Sequence, residues 1–131
     1  MKISALLHAS FLTADLGRSR IFYETLLGFL PSPARPDLGY PGVWYEVGAN
    51  QQIHLMQLSN PEAGLQHPQH PRHGGRDRHV ALAVNDLEEL MRRLAAAGVA
   101  CTLNKSGRRA LFCRDPDGNA LEFIEIREGS E

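Results

Sequence analysis

Four residues carry the chemistry this sequence offers: His8, His54, His79 and Glu122. Three imidazoles and a carboxylate are donors suited to one divalent first-row metal ion, and zinc, nickel, iron, cobalt and manganese are all chemically admissible. The four occupy paired places. His8 and His79 each open an alternating run that closes on Asp-Leu, at Asp15-Leu16 and at Asp86-Leu87, and the three matched positions are displaced along the chain by the same interval. Gln51-Gln-Ile-His54-Leu-Met56 aligns in the same way with Asn119-Ala-Leu-Glu122-Phe-Ile124, each run a few residues after a glycine turn. A lone histidine on a strand is usually a satisfied structural residue, whereas two matched pairs in a duplicated unit favour a shared role. If the two copies curl their sheets about a common two-fold axis, the four side chains can converge in one cavity.

The elements that must position these residues follow from periodicity. Residues 3 to 13 alternate, so a strand there puts His8, Ser10 and Leu12 on one face and the more apolar Leu7, Ala9 and Phe11 on the other, the face expected to meet a helix. Asp15 caps a helix expected over about 16 to 27, with Ile21, Phe22, Leu26 and Leu27 as its apolar stripe and Gly28 as its stop. The prolines of Ser32-Pro33-Ala34-Arg35-Pro36-Asp37 make that segment a loop. Strands are expected at 43 to 47 and 52 to 58 about a turn at Gly48-Ala49-Asn50. The second copy repeats the order, with His79, Ala81 and Ala83 alternating against Val80, Leu82 and Val84. Asp86 caps a helix over about 87 to 97, Gly98 ends it, and strands are expected at 99 to 103, 110 to 114 and 120 to 126. Each copy therefore reads as strand, helix, then two or three strands.

A chain of 131 residues makes about one domain, here module one at about 1–58, a linker at about 59–77 and module two at about 78–127. The linker is rich in proline, glycine and histidine. His67, His70 and His73 sit three apart in it, but the intervening prolines prevent a regular helix, so the segment reads as a solvated connector, with a lid over a site as the functional alternative. The 14 basic residues nearly cancel the 15 acidic ones, which excludes the electrostatic footprint of a nucleic-acid binder or of a protein held on an acidic membrane. No apolar run reaches the roughly 20 residues that span a bilayer, and no export signal is evident, so a cytoplasmic location is expected. Two cysteines, Cys101 and Cys113, are too few for a secreted disulfide framework. A hairpin turning at Ser106-Gly107-Arg108 would set them across from one another. Small buried side chains are the ordinary reading of the pair and a bridge the alternative. Arg72, Arg76, Arg78, Arg108 and Arg109 could hold an anionic group, though solvated charges on a linker and a turn are the simpler account.

Three segments together resemble the vicinal oxygen chelate superfamily, which includes glyoxalase I, bleomycin-resistance proteins, fosfomycin-resistance enzymes and extradiol dioxygenases. They are Phe22-Tyr-Glu-Thr-Leu-Leu-Gly28-Phe29, His79-Val-Ala-Leu-Ala-Val-Asn-Asp86-Leu87 and Asp115-Pro-Asp-Gly118-Asn-Ala-Leu-Glu122-Phe123. The resemblance implies an α+β fold of two tandem βαβββ modules with cupped mixed sheets, helices on the outer face and one divalent metal ion per site, usually as a homodimer. Carried over by position, His8, His79 and Glu122 match the ligands shared by metal-binding members. His54 matches the fourth position, where glyoxalase I typically has glutamate, so it is expected as a ligand or, uncoordinated, as a base beside Glu122.

The expected function is that of a glyoxalase-like, metal-dependent lyase or isomerase. Its small-molecule substrate would chelate the ion through adjacent oxygens. The alternatives are an iron-dependent extradiol-type dioxygenase and a non-catalytic ligand- or antibiotic-binding protein of the bleomycin-resistance type. Trp44, Met56 and Phe112 are the expected lining of the ligand groove.

Overall fold

An alternating run commits every second side chain to one face of a strand, and a helix that follows can cover only one of the two faces. In the computed structural model, which describes residues 1–58, 71–104 and 107–127, this happens twice. The chain forms two compact units, Met1–Gly64 and Leu65–Glu131.

In the first unit, β1 (His8–Thr13), β2 (Leu30–Pro31), β3 (Gly42–Val47) and β4 (Gln51–Gln57) form a sheet in the order β1-β4-β3-β2. β1 runs parallel to β4, which requires a crossover, and the other pairs are antiparallel. The crossover is α1 (Leu16–Arg20), which continues as a π-helical turn over Ile21–Leu26. Asp15 caps it, its carboxylate accepting from the Arg18 N–H at 3.1 Å. Phe22 and Tyr23 are buried with Val43, Tyr45, Ile53 and Leu55, and the Tyr23 and Tyr45 rings stack at 5.7 Å. The Tyr45 hydroxyl donates to Glu24 Oε2 at 2.8 Å. Burial, and then this bond to a carboxylate, push the Tyr45 phenol well above its ordinary pKa.

The second unit repeats the path. β5 (His79–Val84), β6 (Cys101–Leu103), β7 (Ala110–Arg114) and β8 (Ala120–Glu125) form a sheet in the order β5-β8-β7-β6, with β5 parallel to β8. The crossover is α2 (Leu87–Ala96), capped by Asp86, whose carboxylate accepts from the Glu89 N–H at 3.0 Å. Leu87, Leu90 and Leu94 recur at helical spacing and are buried. The architecture is thus α+β, two βαβββ units with mixed four-stranded sheets.

The helix ends differ, and the sequence explains why. Gly98 donates to the Ala95 carbonyl at 3.1 Å and Val99 to that of Leu94 at 2.9 Å, the paired bonds of a Schellman end, with Gly98 at φ 70°. In the first unit Gly28 donates to Glu24 at 3.1 Å and Phe29 to Tyr23 at 2.9 Å, each bond one residue longer. Asp15 to Gly28 is also one residue longer than Asp86 to Gly98. The extra residue is taken up as the π-helical turn, where an unbroken α-helix was expected.

Three further expectations change. β1 begins at His8 and not at residue 3, because β4 offers its first partner at Gln52, opposite His8. The two-residue β2 was not expected, and its Pro31 is tolerated because β2 lies at the sheet edge. The described end of the expected linker, 71 to 77, is not simply solvated. Its 3₁₀ turn, Gly74–Arg76, buries Gly74, and a Cβ at Gly75 would lie 2.8 Å from Phe112 Cζ. His67, His70 and Ser106 lie outside the described residues. Among the described residues no helix is long and apolar enough to cross a membrane.

Candidate functional site

On the face of the second sheet turned away from α2, the register sets Ala81 opposite Glu122 and Phe112 opposite Glu122 from the other side. His79, two residues before Ala81, shares that face. Its Nε2 lies 3.3 Å from Glu122 Oε1, and Glu122 is buried, with 5% of its surface exposed. Asn104 Nδ2 donates to the second carboxylate oxygen at 3.3 Å, and Arg108 Nη2 stands 3.6 Å from it. The other ring nitrogen of His79, Nδ1, is 2.9 Å from the Asp77 carbonyl oxygen. A carbonyl only accepts, so Nδ1 carries a proton, and Nε2 points at the carboxylate, donating to it in the imidazolium and offering it a lone pair in the neutral ring. A ring oriented by a carbonyl on one nitrogen, with its other nitrogen beside a buried carboxylate, is the arrangement in which histidine ligates a metal. The donor set of this half-site therefore fits a divalent ion.

The first sheet places its pair in the equivalent position. Trp44 and Ser10 flank His54 across the ladder, and the His8 ring stacks on the His54 ring at 4.0 Å and 12°. Trp44 stacks on His54 at 4.4 Å and 6°, so the two contacts hold the His54 ring by its faces. Glu46 accepts from Gln52 Nε2 at 3.0 Å, which turns Gln52 Oε1 toward His54 Nε2 at 2.8 Å. His54 Nε2 is then the protonated nitrogen, and Nδ1 is the one left with a lone pair. Burial first, then His8 and Arg35, lower the His54 pKa, and the ring is held neutral.

The structure thus brings His8 together with His54, and His79 together with Glu122, each pair within its own unit. Among the described residues, no group of three or more His, Cys, Asp or Glu side chains is arranged to hold a metal ion. Of the expected lining residues, Trp44 and Phe112 occupy matching cross-strand positions beside His54 and Glu122, and Phe112 meets His79 edge-on at 5.3 Å. Met56 is half-buried on β4, two residues beyond His54. His73 accepts from the Gly75 N–H at 3.0 Å and packs on Phe112 at 4.7 Å, which gives it a structural place. Cys101 and Cys113 are direct cross-strand partners and both are free thiols.

Four participants were missed in the sequence. Gln52 and Glu46 could have been found, since both share the His54 face once the turn at Gly48-Ala49-Asn50 sets the register. Asp77 and Asn104 lie outside the strands and carry no periodic signal, and Arg108, named in the sequence only for an anionic group, stands beside the Glu122 carboxylate.

The family model described as the Glyoxalase/Bleomycin resistance protein/Dioxygenase superfamily matches residues 5–123. Glyoxylase I 4 of Arabidopsis thaliana is 27% identical over 128 residues, covering 94% of this chain and 71% of its own. The lactoylglutathione lyase of Salmonella typhimurium is 27% identical over 130 residues, covering 94% of this chain and 93% of its own. A glyoxylase/bleomycin resistance protein/dioxygenase domain from Frankia sp. superposes with a TM-score of 0.72 at 22% identity, covering 96% of this chain and all of the other, a likeness of fold.

Proposed function

Because the chain belongs to the Glyoxalase/Bleomycin resistance protein/Dioxygenase superfamily, we propose that it is a metal-dependent enzyme that acts, by lyase or isomerase chemistry, on a small substrate chelating a divalent ion through adjacent oxygens. The observation that supports this is the His79–Glu122 pair. The Nδ1 proton is committed to the Asp77 carbonyl, and Nε2 faces a buried carboxylate oxygen at 3.3 Å. A first-row divalent ion takes four to six ligands, more than one pair supplies, and the duplication offers a second pair. His8, His79 and Glu122 are the proposed ligands. His54 is a further donor through Nδ1 or, uncoordinated, the base that accepts a substrate proton there, since Gln52 engages its Nε2. When bound, the ion supplies Lewis-acid polarisation of the two substrate oxygens. Glu122 has Asn104 and Arg108 at its second oxygen and can pass a proton from the first. Trp44, Met56 and Phe112 exclude water around the substrate.

The test starts from chelator-treated protein titrated with zinc, nickel or cobalt. One ion per site is expected, with affinity falling at least about tenfold in His79→Asn and Glu122→Gln. Wild-type protein that binds none of the three ions stoichiometrically would sink the proposal. Lactoylglutathione, named in the lyase relative, is the first substrate to assay. We also propose a homodimer, supported by the exposed apolar side chains Ile3, Leu6, Leu7, Ile21 and Leu30 of the first unit. Sedimentation equilibrium at micromolar concentration should give twice the mass of the chain.

A further inference from the structure

His79 is oriented by contacts that begin outside its own strand. The carbonyl on its Nδ1 belongs to Asp77, and Asp77 is held by other bonds as well. Its Oδ2 accepts from Arg114 Nη1 at 2.8 Å, its Oδ1 accepts from the Arg78 N–H at 2.8 Å, and its own N–H donates to the Gly74 carbonyl at 3.1 Å. Arg114, the last residue of β7, ties these parts together. The same Nη1 donates to the Gly118 carbonyl at 2.8 Å, and Nη2 donates to the Pro71 carbonyl. One planar guanidinium thus joins the turn after β7 to both ends of the segment that leads into β5. That segment is seated closely on the sheet, since a Cβ at Gly74 would lie 3.2 Å from that of Ala120, a tight contact.

The consequence for His79 is chemical. A neutral imidazole without an acceptor at Nδ1 prefers to carry its proton on Nε2, and a protonated Nε2 can neither ligate an ion nor accept a proton. We propose that Arg114 is a positioning residue for His79. By clamping Asp77 it keeps the backbone carbonyl on Nδ1 and so holds the ring in the tautomer whose Nε2 lone pair is open toward Glu122. Its functional meaning rests on the proposed ligand role of His79, whereas the tautomer can be measured without any metal. A lysine at this position reaches one acceptor at a time and cannot join three segments.

The experiment uses the full chain labelled with ¹⁵N-histidine, free of metal, at a pH where the ring is neutral, in long-range ¹H–¹⁵N correlation spectra. Wild type should show His79 protonated on Nδ1. Arg114→Met should shift it toward Nε2 protonation, with Arg114→Lys between the two. Zinc affinity measured by titration should fall about ten- to a hundredfold in Arg114→Met and recover in part in Arg114→Lys. If Arg114→Met does not fold, Arg114→Lys and Asp77→Asn carry the test, and both should move the tautomer in the same direction. A folded Arg114→Met chain with an unchanged His79 tautomer overturns the inference, as does an unchanged tautomer in both substitutes. Should wild type bind no metal while the tautomer moves, the positioning role stands and the metal reading falls. The reverse result removes the positioning role alone.

Discussion

His54 shows how one side chain's environment decides its chemistry. Trp44 and His8 stack on its ring, Gln52 accepts from its Nε2, and burial first, then the charges of His8 and Arg35, make the folded chain favour the neutral form. In the unfolded chain the group titrates near the ordinary imidazole value of about 6.5. Its contribution to stability is therefore fully present above that pH, and is lost as pH falls from 6.5 through the lower folded value. Urea denaturation between pH 7.5 and pH 5 should show stability declining in wild type. The decline should be shallower in His54→Gln, and equal slopes would show that His54 is not the group responsible. Cys113 makes a second case. Burial, then Cys101 and Asp115, push its thiol up to about 12, while Cys101 opposite it is half-exposed. A short pulse of iodoacetamide at pH 8, read by mass spectrometry, should label Cys101 well before Cys113. Equal labelling would mean that β6 and β7 separate readily.

At the scale of elements, the two helix caps make separable contributions. Asp86→Ala removes the bond to the Glu89 N–H and should cost about 1 kcal/mol in urea denaturation. Gly98→Ala forces a side chain into the left-handed region at φ 70° and should cost a further 1–2 kcal/mol, roughly additive because the two sites lie at opposite ends of α2. Both helices were legible from their Asp caps, glycine stops and apolar spacing. The π-helical turn was also present in the sequence, as one surplus residue between Asp15 and Gly28, but only the buried places of Phe22 and Tyr23 show where it is absorbed. β2 was not legible, because two residues containing a proline show no alternation and gain their strand character from β3 alone.

For the molecule as a whole, duplication repeats one arrangement, a pair of potential donor side chains on one face of a sheet, in each of the two units. Each pair is braced by neighbours within its own unit that leave it little freedom. An ion that binds the folded chain and not the unfolded one adds about 2.7 kcal/mol at a free concentration a hundred times its dissociation constant. Thermal melts of the chelator-treated protein should therefore rise when zinc, nickel or cobalt is added and fall back with excess chelator. His79→Asn and Glu122→Gln should show little of this response, and an unchanged wild-type melt would count against the metal.

The sequence by itself determined the repeat, the faces of the strands and the correspondence of His8 with His79 and of His54 with Glu122, whereas the contacts of His8 with His54 and of His79 with Glu122, each within its own unit, came from the structure. Alternation and equal intervals are local properties that no packing is needed to read. Only the tertiary structure decided which nitrogen of each histidine is available. Gln52 reaches His54 because Glu46 turns its amide, and Asp77 reaches His79 because Arg114 holds it. The Arg114–Asp77 bond joins residues far apart in the chain, and the shorter-range bonds depend on side-chain directions that alternation does not carry, because hydrogen-bond direction depends on atoms brought together by folding.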